Sequence, residues 1–305
     1  MANTFLRWWG CGAFDVRLGD VNFTFDPYLF NDNLANAQPI FDYIFISHEH
    51  FDHCHPPTLK KLSQGARFKQ LFVSPGCVSP DTPVDEKYGD AAFERDLPII
   101  KHIDKEKMRV VYPKLLNDTQ GLDRQFPRSC EFDLGPLHVQ TIESGENQRP
   151  DLPTCGYLVR HREKNLSFLH IGDLHESYAS LIEIRGQVDF CIHMKLGLTE
   201  WQGEDNRRHL EAFLDLVQPK FLIPTHYRTD RGSDPIPHGH WPPNATDVAA
   251  LIESIREIAN NSSPKTKVLP FTAGIEYEIE LPSKQIQWKW NWHKTWTVPP
   301  WRDTE

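Results

Sequence analysis

Residues 47–55 read Ser-His-Glu-His-Phe-Asp-His-Cys-His and follow directly on Tyr43-Ile44-Phe45-Ile46. The apolar run is short, continuous and rich in strand formers, which fits a strand buried on both faces. In the loop behind it His48, His50, Asp52 and His53 form H-x-H-x-D-H, placing four metal-ligating side chains within six residues. Zn²⁺, Mn²⁺ and iron all accept imidazole and carboxylate. Alternate residues of an extended loop can converge on one ion while the adjacent Asp-His pair faces another. A solvated polar loop explains a single histidine, but not this density at a strand's C-terminal end, where α/β sheets place their sites.

The remaining pattern supplies a sheet for that loop. Phe14, Val16 and Leu18 alternate with polar neighbours, Gly19-Asp20 provide turn chemistry, and Val21, Phe23 and Phe25 resume the alternation, which predicts a hairpin. Further strand-like runs lie at 70–74, 108–112, 137–142, 156–160, 166–171, 188–193 and 220–224. Leu210, Phe213, Leu214 and Val217 predict a helix over 206–217, and Val248, Leu251, Ile252, Ile255 and Ile258 predict another over 246–259. Strands dominate early, strands and helices alternate later, and neither a Gly/Ser linker nor an internal repeat marks a boundary. The reading is one mixed α/β domain over 1–285, followed by a tail at 286–305. Residues 79–107, rich in proline and charge, read as a surface insertion.

Composition narrows the function. The 305 residues are 39% apolar and 25% charged, within the range of soluble globular chains. The net charge of -9 argues against a broad nucleic-acid footprint. No apolar stretch approaches the roughly 20 residues that span a bilayer, and the opening MANTFLRWWGCG lacks a basic, then apolar, leader. The six cysteines show no CxxC spacing. The expectation is a cytoplasmic protein with reduced thiols and a small-molecule substrate, binding neither membrane nor nucleic acid.

With these motifs in place, the chain resembles the metallo-β-lactamase superfamily, whose signature is the H-x-H-x-D-H loop in an αββα sandwich of two mixed sheets covered by helices. Gly172-Asp173, after the strand at 166–171, is similar to the Gly-Asp whose carboxylate bridges two metals. Thr225-His226, after Phe221-Leu222-Ile223-Pro224, is similar to the last ligand histidine. Trp8-Trp9-Gly10-Cys11-Gly12, Gly172-Asp173-Leu174-His175 and Ile223-Pro224-Thr225-His226 look most like the ascorbate-6-phosphate lactonase-like branch. One position departs. Where most members carry a further ligand histidine, this chain has Glu143-Ser144-Gly145-Glu146-Asn147. Glu146 is the favoured replacement, Glu143 the second choice, and an ordinary acidic turn the third. A carboxylate there favours Mn²⁺ or iron relative to Zn²⁺.

The resemblance implies that His48, His50 and Glu146 hold one divalent ion and that Asp52, His53 and His226 hold the other, with Asp173 bridging. A metal-bound hydroxide would attack a small polar substrate of lactone or phosphoester type. Asp52 would also orient that hydroxide, and His175 would touch substrate, protonate a leaving group or support the ligands from behind. Arg228, Arg231, His238 and His240 are candidate substrate contacts, because Arg forks suit phosphate and carboxylate. Other readings are a di-iron oxygenase, a phosphodiesterase or nuclease, and a non-catalytic metal-binding module.

The nine tryptophans are unevenly placed, with Trp288, Trp290, Trp292, Trp296 and Trp301 in the last 18 residues. Their period of two at 288–292 predicts an extended strand with one aromatic face, ended by Pro299-Pro300, and not a membrane-surface helix. Three uses fit it: packing on its own domain, contact with a second copy in a homo-oligomer, or an aromatic wall over a site.

Overall fold

The apolar run of the sequence forms the strand β4 (Phe41–Ile46), and its two faces go to two different layers. The computed structural model describes residues 4–10, 12–28, 40–50, 53–78, 103–113, 131–144, 153–174, 179–193, 204–226, 245–271, 276–280 and 284–288. Before β4 run β1 (Thr4–Gly10), β2 (Ala13–Arg17) and β3 (Asn22–Phe25). After it come the helix α1 (Pro56–Gln64), β5 (Phe68–Val73) and β6 (Met108–Val110). A second group comprises β7 (Glu131–Leu134), β8 (Leu137–Ser144), β9 (Thr154–His161), β10 (Leu166–His170) and β11 (Phe190–His193). Then follow α2 (Glu204–Val217), β12 (Phe221–Pro224), α3 (Ala245–Ser262) and β13 (Lys267–Val268). Last are β14 (Glu276–Glu280) and β15 (Gln285–Trp288).

Two mixed sheets result. One has the order β15-β14-β1-β2-β3-β4-β5-β6 and the other β13-β12-β11-β10-β9-β8-β7. Strands β3 to β6 run parallel, as do β10 to β13, so each sheet gathers several strand C-termini at one end. With helices outside, this is the αββα sandwich that the sequence implied.

Aromatic rings fill the space between the sheets. Phe45 lies 5.2 Å from Phe72 in a stacked pair, 5.6 Å from Phe25 and 5.1 Å from Tyr157 of the facing sheet. Opposite, Phe168, Phe190 and Phe221 are cross-strand partners that stack at 5.3 and 5.0 Å, and Phe23 meets Phe168 edge-on at 5.9 Å. The alternate residues Ile44 and Ile46 face outward, where Leu59 and Leu62 of α1 cover them together with Leu71 and Val73. On the other side Leu210, Phe213, Leu214 and Val217 of α2 are fully buried, and α3 lies against α2 and β13. The β4 run is therefore apolar throughout because both of its faces are covered.

The hairpin, the strand runs and both helices of the sequence reading are present. The sequence reading did not include α1, β1, β7, β13 or β14. Helix α1 begins with Pro56-Pro57, a pair that looks like a breaker, yet proline suits the first turn of a helix because the missing N–H has no intrahelical partner there. Strand β1, rich in tryptophan, pairs antiparallel with both β2 and β14 and lies inside its sheet. Of the tail, residues 286–288 fall in the edge strand β15 beside β14, with Trp288 opposite Tyr277 in register. Residues 289–305 and 79–102 lie outside the described residues. Among the described residues no helix is long and apolar enough to cross a membrane. Cys54, Cys77, Cys155 and Cys191 are buried free thiols.

Because Phe45 joins both sheets, Phe45→Ala should destabilise the protein by about 3–5 kcal/mol. Urea unfolding monitored by circular dichroism checks this, and a loss below about 1 kcal/mol would mean that the inter-sheet core does not rest on this ring.

Candidate metal centre

The site is built where strand C-termini meet. Ser47 to His53 leave β4, Asp173 follows β10, and His226 follows β12. His48, His50 and Asp173 form one cluster whose ligand atoms all lie within 4.8 Å of one another, and His53, Asp173 and His226 form a second. All are buried except His50, which is partly exposed. Asp173 belongs to both clusters. The rings of His53 and His226 run nearly parallel at 5.7 Å, and His53 Nε2 stands 3.4 Å from Asp173 Oδ1.

A carboxylate buried among rings would ordinarily be pushed toward its neutral form. Burial does act that way on Asp173, but His53, His226 and His48 around it override burial and hold its carboxyl well below the usual range. It is therefore an anion facing imidazoles. The donor chemistry, nitrogens from four histidines around one ionised carboxylate, fits divalent Zn²⁺, Mn²⁺ or Fe²⁺.

Hydrogen bonds behind the rings fix which nitrogens face the site. Asp26, fully buried just after β3, accepts from Ser47 N–H at 2.7 Å and from Ser47 Oγ at 2.6 Å. Its Oδ2 lies 2.8 Å from His53 Nδ1, so this nitrogen carries the proton and Nε2 is left as the donor to a metal. The single hydroxyl proton of Ser47 is used on Asp26. His48 Nδ1, 2.9 Å from Ser47 Oγ, must then donate to it, which leaves His48 Nε2 as a ligand nitrogen. One carboxylate sets two tautomers.

His170 extends this layer. It is buried, stacks on Phe25 at 4.7 Å, and donates from Nε2 to the Gly12 carbonyl at 3.2 Å. Burial pulls its pKa below the ordinary value against the opposing pull of Asp26.

The backbone is shaped to bring these groups together. Gly172 has φ +56, and a Cβ there would sit 2.9 Å from Ser144 Oγ and 3.1 Å from Ser47 Cβ, so only glycine lets the Asp173 turn approach the histidine loop this closely. His226 itself holds φ 69, a conformation costly for a side-chain-bearing residue and typical of functional positions. The sheets are also joined at this end, by Cys155 N–H to Ser47 O at 3.0 Å and Tyr157 O–H to Ile46 O at 2.8 Å.

Of the residues expected from the sequence, His48, His50, His53, Asp173 and His226 come together. Asp52, Glu146, His175, Arg228, Arg231, His238 and His240 lie outside the described residues. Glu143, the second choice for the extra ligand, is half-buried on β8 against Ser180, Leu181 and Ile184, and burial raises its pKa. Its neighbour Ser144 bonds the Ile171 carbonyl on the side of Gly172, so Glu143 faces away from the centre. His193 is fully buried beside Phe213 and His209 and belongs to neither cluster.

Sequence reasoning missed Asp26 and Ser47. The signal for Asp26 was an Asp-Pro directly after a strand. Only the pairing of β3 with β4 shows that this strand ends beside the histidine loop.

Residues 5–226 match the family model described as a β-lactamase superfamily domain. A UPF0173 protein of Pyrococcus abyssi is 24% identical over 225 residues, covering 74% of this chain and 84% of that protein. Igni18, a metallo hydrolase from Ignicoccus hospitalis, superposes with a TM-score of 0.57 at 13% identity, over 92% of this chain and 100% of that one. CmlA, a diiron β-hydroxylase from Streptomyces venezuelae, does so with a TM-score of 0.54 at 15% identity, over 92% and 55%. At these identities the structural likeness is one of fold.

Asp26→Asn keeps the size and the bond from Ser47 N–H but presents an amide N–H to His53 Nδ1, favouring the tautomer with its proton on the metal-facing nitrogen. Metal affinity, measured by chelator competition, should fall about 10- to 100-fold with the fold retained. Unchanged affinity would remove Asp26 from this role.

Proposed function

Because the chain belongs to the β-lactamase superfamily, we propose that it is a hydrolase working with two divalent metal ions on a small polar substrate of lactone or phosphoester type. The observation that carries this reading is the sharing of Asp173 by both donor clusters. A carboxylate common to two three-donor groups suits a pair of ions better than a single structural one, which would be closed by four ligands.

Two bound ions would supply Lewis acidity, activating water and polarising the group under attack. The chain's own part is to hold and aim. Asp173 brings its negative charge to both clusters, and Asp26 and Ser47 keep His53 and His48 turned so that Nε2 faces inward. In the proposal Glu146 completes the set with His48 and His50, while Asp52 joins His53 and His226. Asp52 also takes a proton at its carboxylate and returns it to the leaving group. His175 serves the leaving group or supports the ligands, and Arg228, Arg231, His238 and His240 form the substrate side. The lactonase-like branch, a cytoplasmic location and a homo-oligomer formed through the tail belong to the same proposal and rest on the sequence motifs.

The test is to strip the protein with chelator, reconstitute it with Mn²⁺ or Zn²⁺, and assay it on a panel of lactones and phosphodiesters. Turnover should vanish on stripping, return with metal, and fall at least about 1,000-fold in Asp173→Ala, which loses the shared carboxylate. No turnover on any substrate at two metals per chain contradicts the hydrolase reading. CmlA, similar in fold, is a diiron hydroxylase. Iron in the aerobically purified protein together with substrate-dependent O₂ uptake would favour oxygenase chemistry in its place.

A further inference from the structure

At the opposite end of the second sheet, where β10, β11 and β12 begin, the surface opens into a cavity of about 950 Å³. That volume is at the upper end of the range of small-molecule sites. The four to five residues of each strand separate it from the metal centre by on the order of 15 Å.

Its lining is cationic in a chain that is acidic overall. Arg160, Arg162, Lys220, Lys265 and Lys284 line it, and Asp189 is the one carboxylate among the described lining residues. Asp189 is a buried anchor. Its Oδ2 accepts from Ser167 N–H at 3.0 Å and from Ser167 Oγ at 3.1 Å. Its Oδ1 takes Lys284 Nζ at 2.7 Å and Lys220 Nζ at 3.3 Å. One carboxylate thus holds two ammonium groups on one wall, and each keeps further N–H donors to spare.

Arg162 has its charge met by Asp133. Arg160 hydrogen-bonds no carboxylate among the described residues, although the charge of Glu131 acts on it. It is partly buried, and its fork donates to two neutral amides, Gln140 Oε1 at 3.1 Å and Gln187 Oε1 at 3.2 Å. Burial pulls its pKa below the usual guanidinium value. His161, 1% exposed, also lines the cavity. Its Nδ1 accepts from Lys164 N–H, while its Nε2 has no hydrogen-bond partner and lies 3.6 Å from Asp20.

Without Arg162, then, Arg160, Lys220, Lys265 and Lys284 stand against two described carboxylates, Asp189 in the lining and Glu131 acting on Arg160, an excess of two positive charges around a cavity that also offers amide side chains. A half-desolvated guanidinium whose hydrogen bonds go to neutral amides is costly unless an anion completes it. We propose that this cavity is a second binding site, separate from the metal centre, for a small molecule carrying a diphosphate group. Its two phosphates would lie between the Arg160 fork and the ammonium pair of Lys220 and Lys284, with Lys265 at the rim. A diphosphate offers one anionic group to the Arg160 fork and one to the ammonium pair, where a carboxylate or orthophosphate offers only one.

Phosphate also has affinity for paired metal ions, so the test uses the metal-stripped full-length protein and titrates inorganic pyrophosphate, orthophosphate, a nucleoside diphosphate and a sugar diphosphate by calorimetry. Pyrophosphate should bind saturably at one site per chain and more tightly than orthophosphate. A further gain with the nucleotide or the sugar identifies the carrier. Arg160→Gln and Lys265→Gln should each weaken binding, by at least about tenfold for Arg160, while Asp173→Asn leaves it unchanged. Lys265 is exposed and bonds no described residue, so its variant reports binding even where Arg160→Gln disturbs folding. Absence of saturable binding, binding indifferent to both cavity variants, or binding lost in Asp173→Asn would overturn the proposal.

Discussion

The metal-centre geometry depends on one buried carboxylate that is not itself in the donor clusters. Asp26 is fully buried, and a charge in that position is tolerated only when its lone pairs are filled. Ser47 N–H, Ser47 Oγ and His53 Nδ1 fill them at 2.6 to 2.8 Å. The same bonds tie the end of β3 to the loop after β4 and fix two imidazole tautomers. The stabilisation of Asp26 and the preparation of His48 and His53 for a metal are therefore one arrangement. Breaking it would expose the cost of the charge and misalign the ligands together.

That arrangement is possible because two sheets present strand ends at the same place. Parallel pairing of β3 with β4 brings Asp26 to Ser47, and parallel pairing of β10, β11 and β12 brings Asp173 and His226 to one rim. The aromatic layer between the sheets sets their separation, and Gly172 allows the two rims to meet without a clash. At the other rim the same parallel strands begin, and there the lining is cationic. The two ends of one sheet thus carry different chemistry, imidazoles around a carboxylate at one and Arg and Lys side chains around a cavity at the other.

The fold was legible where local pattern and burial agree. The continuous apolar run at 43–46 announced a strand covered on both faces, and the stripes of 206–217 and 246–259 announced helices. The clustering of His48, His50 and His53 was legible because density at a strand end has no bland explanation, and that of Asp173 and His226 because each follows a strand with a short motif of its own. Asp26 was not legible, since a lone Asp-Pro after a strand is ordinary turn chemistry until strand pairing brings it beside another loop. The cavity was invisible for the same reason: Arg160, Asp189, Lys220 and Lys284 are far apart in sequence, and only the antiparallel turn from β9 into β10 and the parallel strands beside it collect them. Helix α1 was obscured by Pro56-Pro57, which interrupts a helix anywhere but at its start.

Anomalous diffraction from crystals of the protein grown with Mn²⁺ or Zn²⁺ tests the central claim most directly. Two peaks should appear, one against His48 and His50 and one against His53 and His226, each within ligand distance of the Asp173 carboxylate. A single peak, or two peaks of which either stands clear of Asp173, would contradict a shared-carboxylate dinuclear centre.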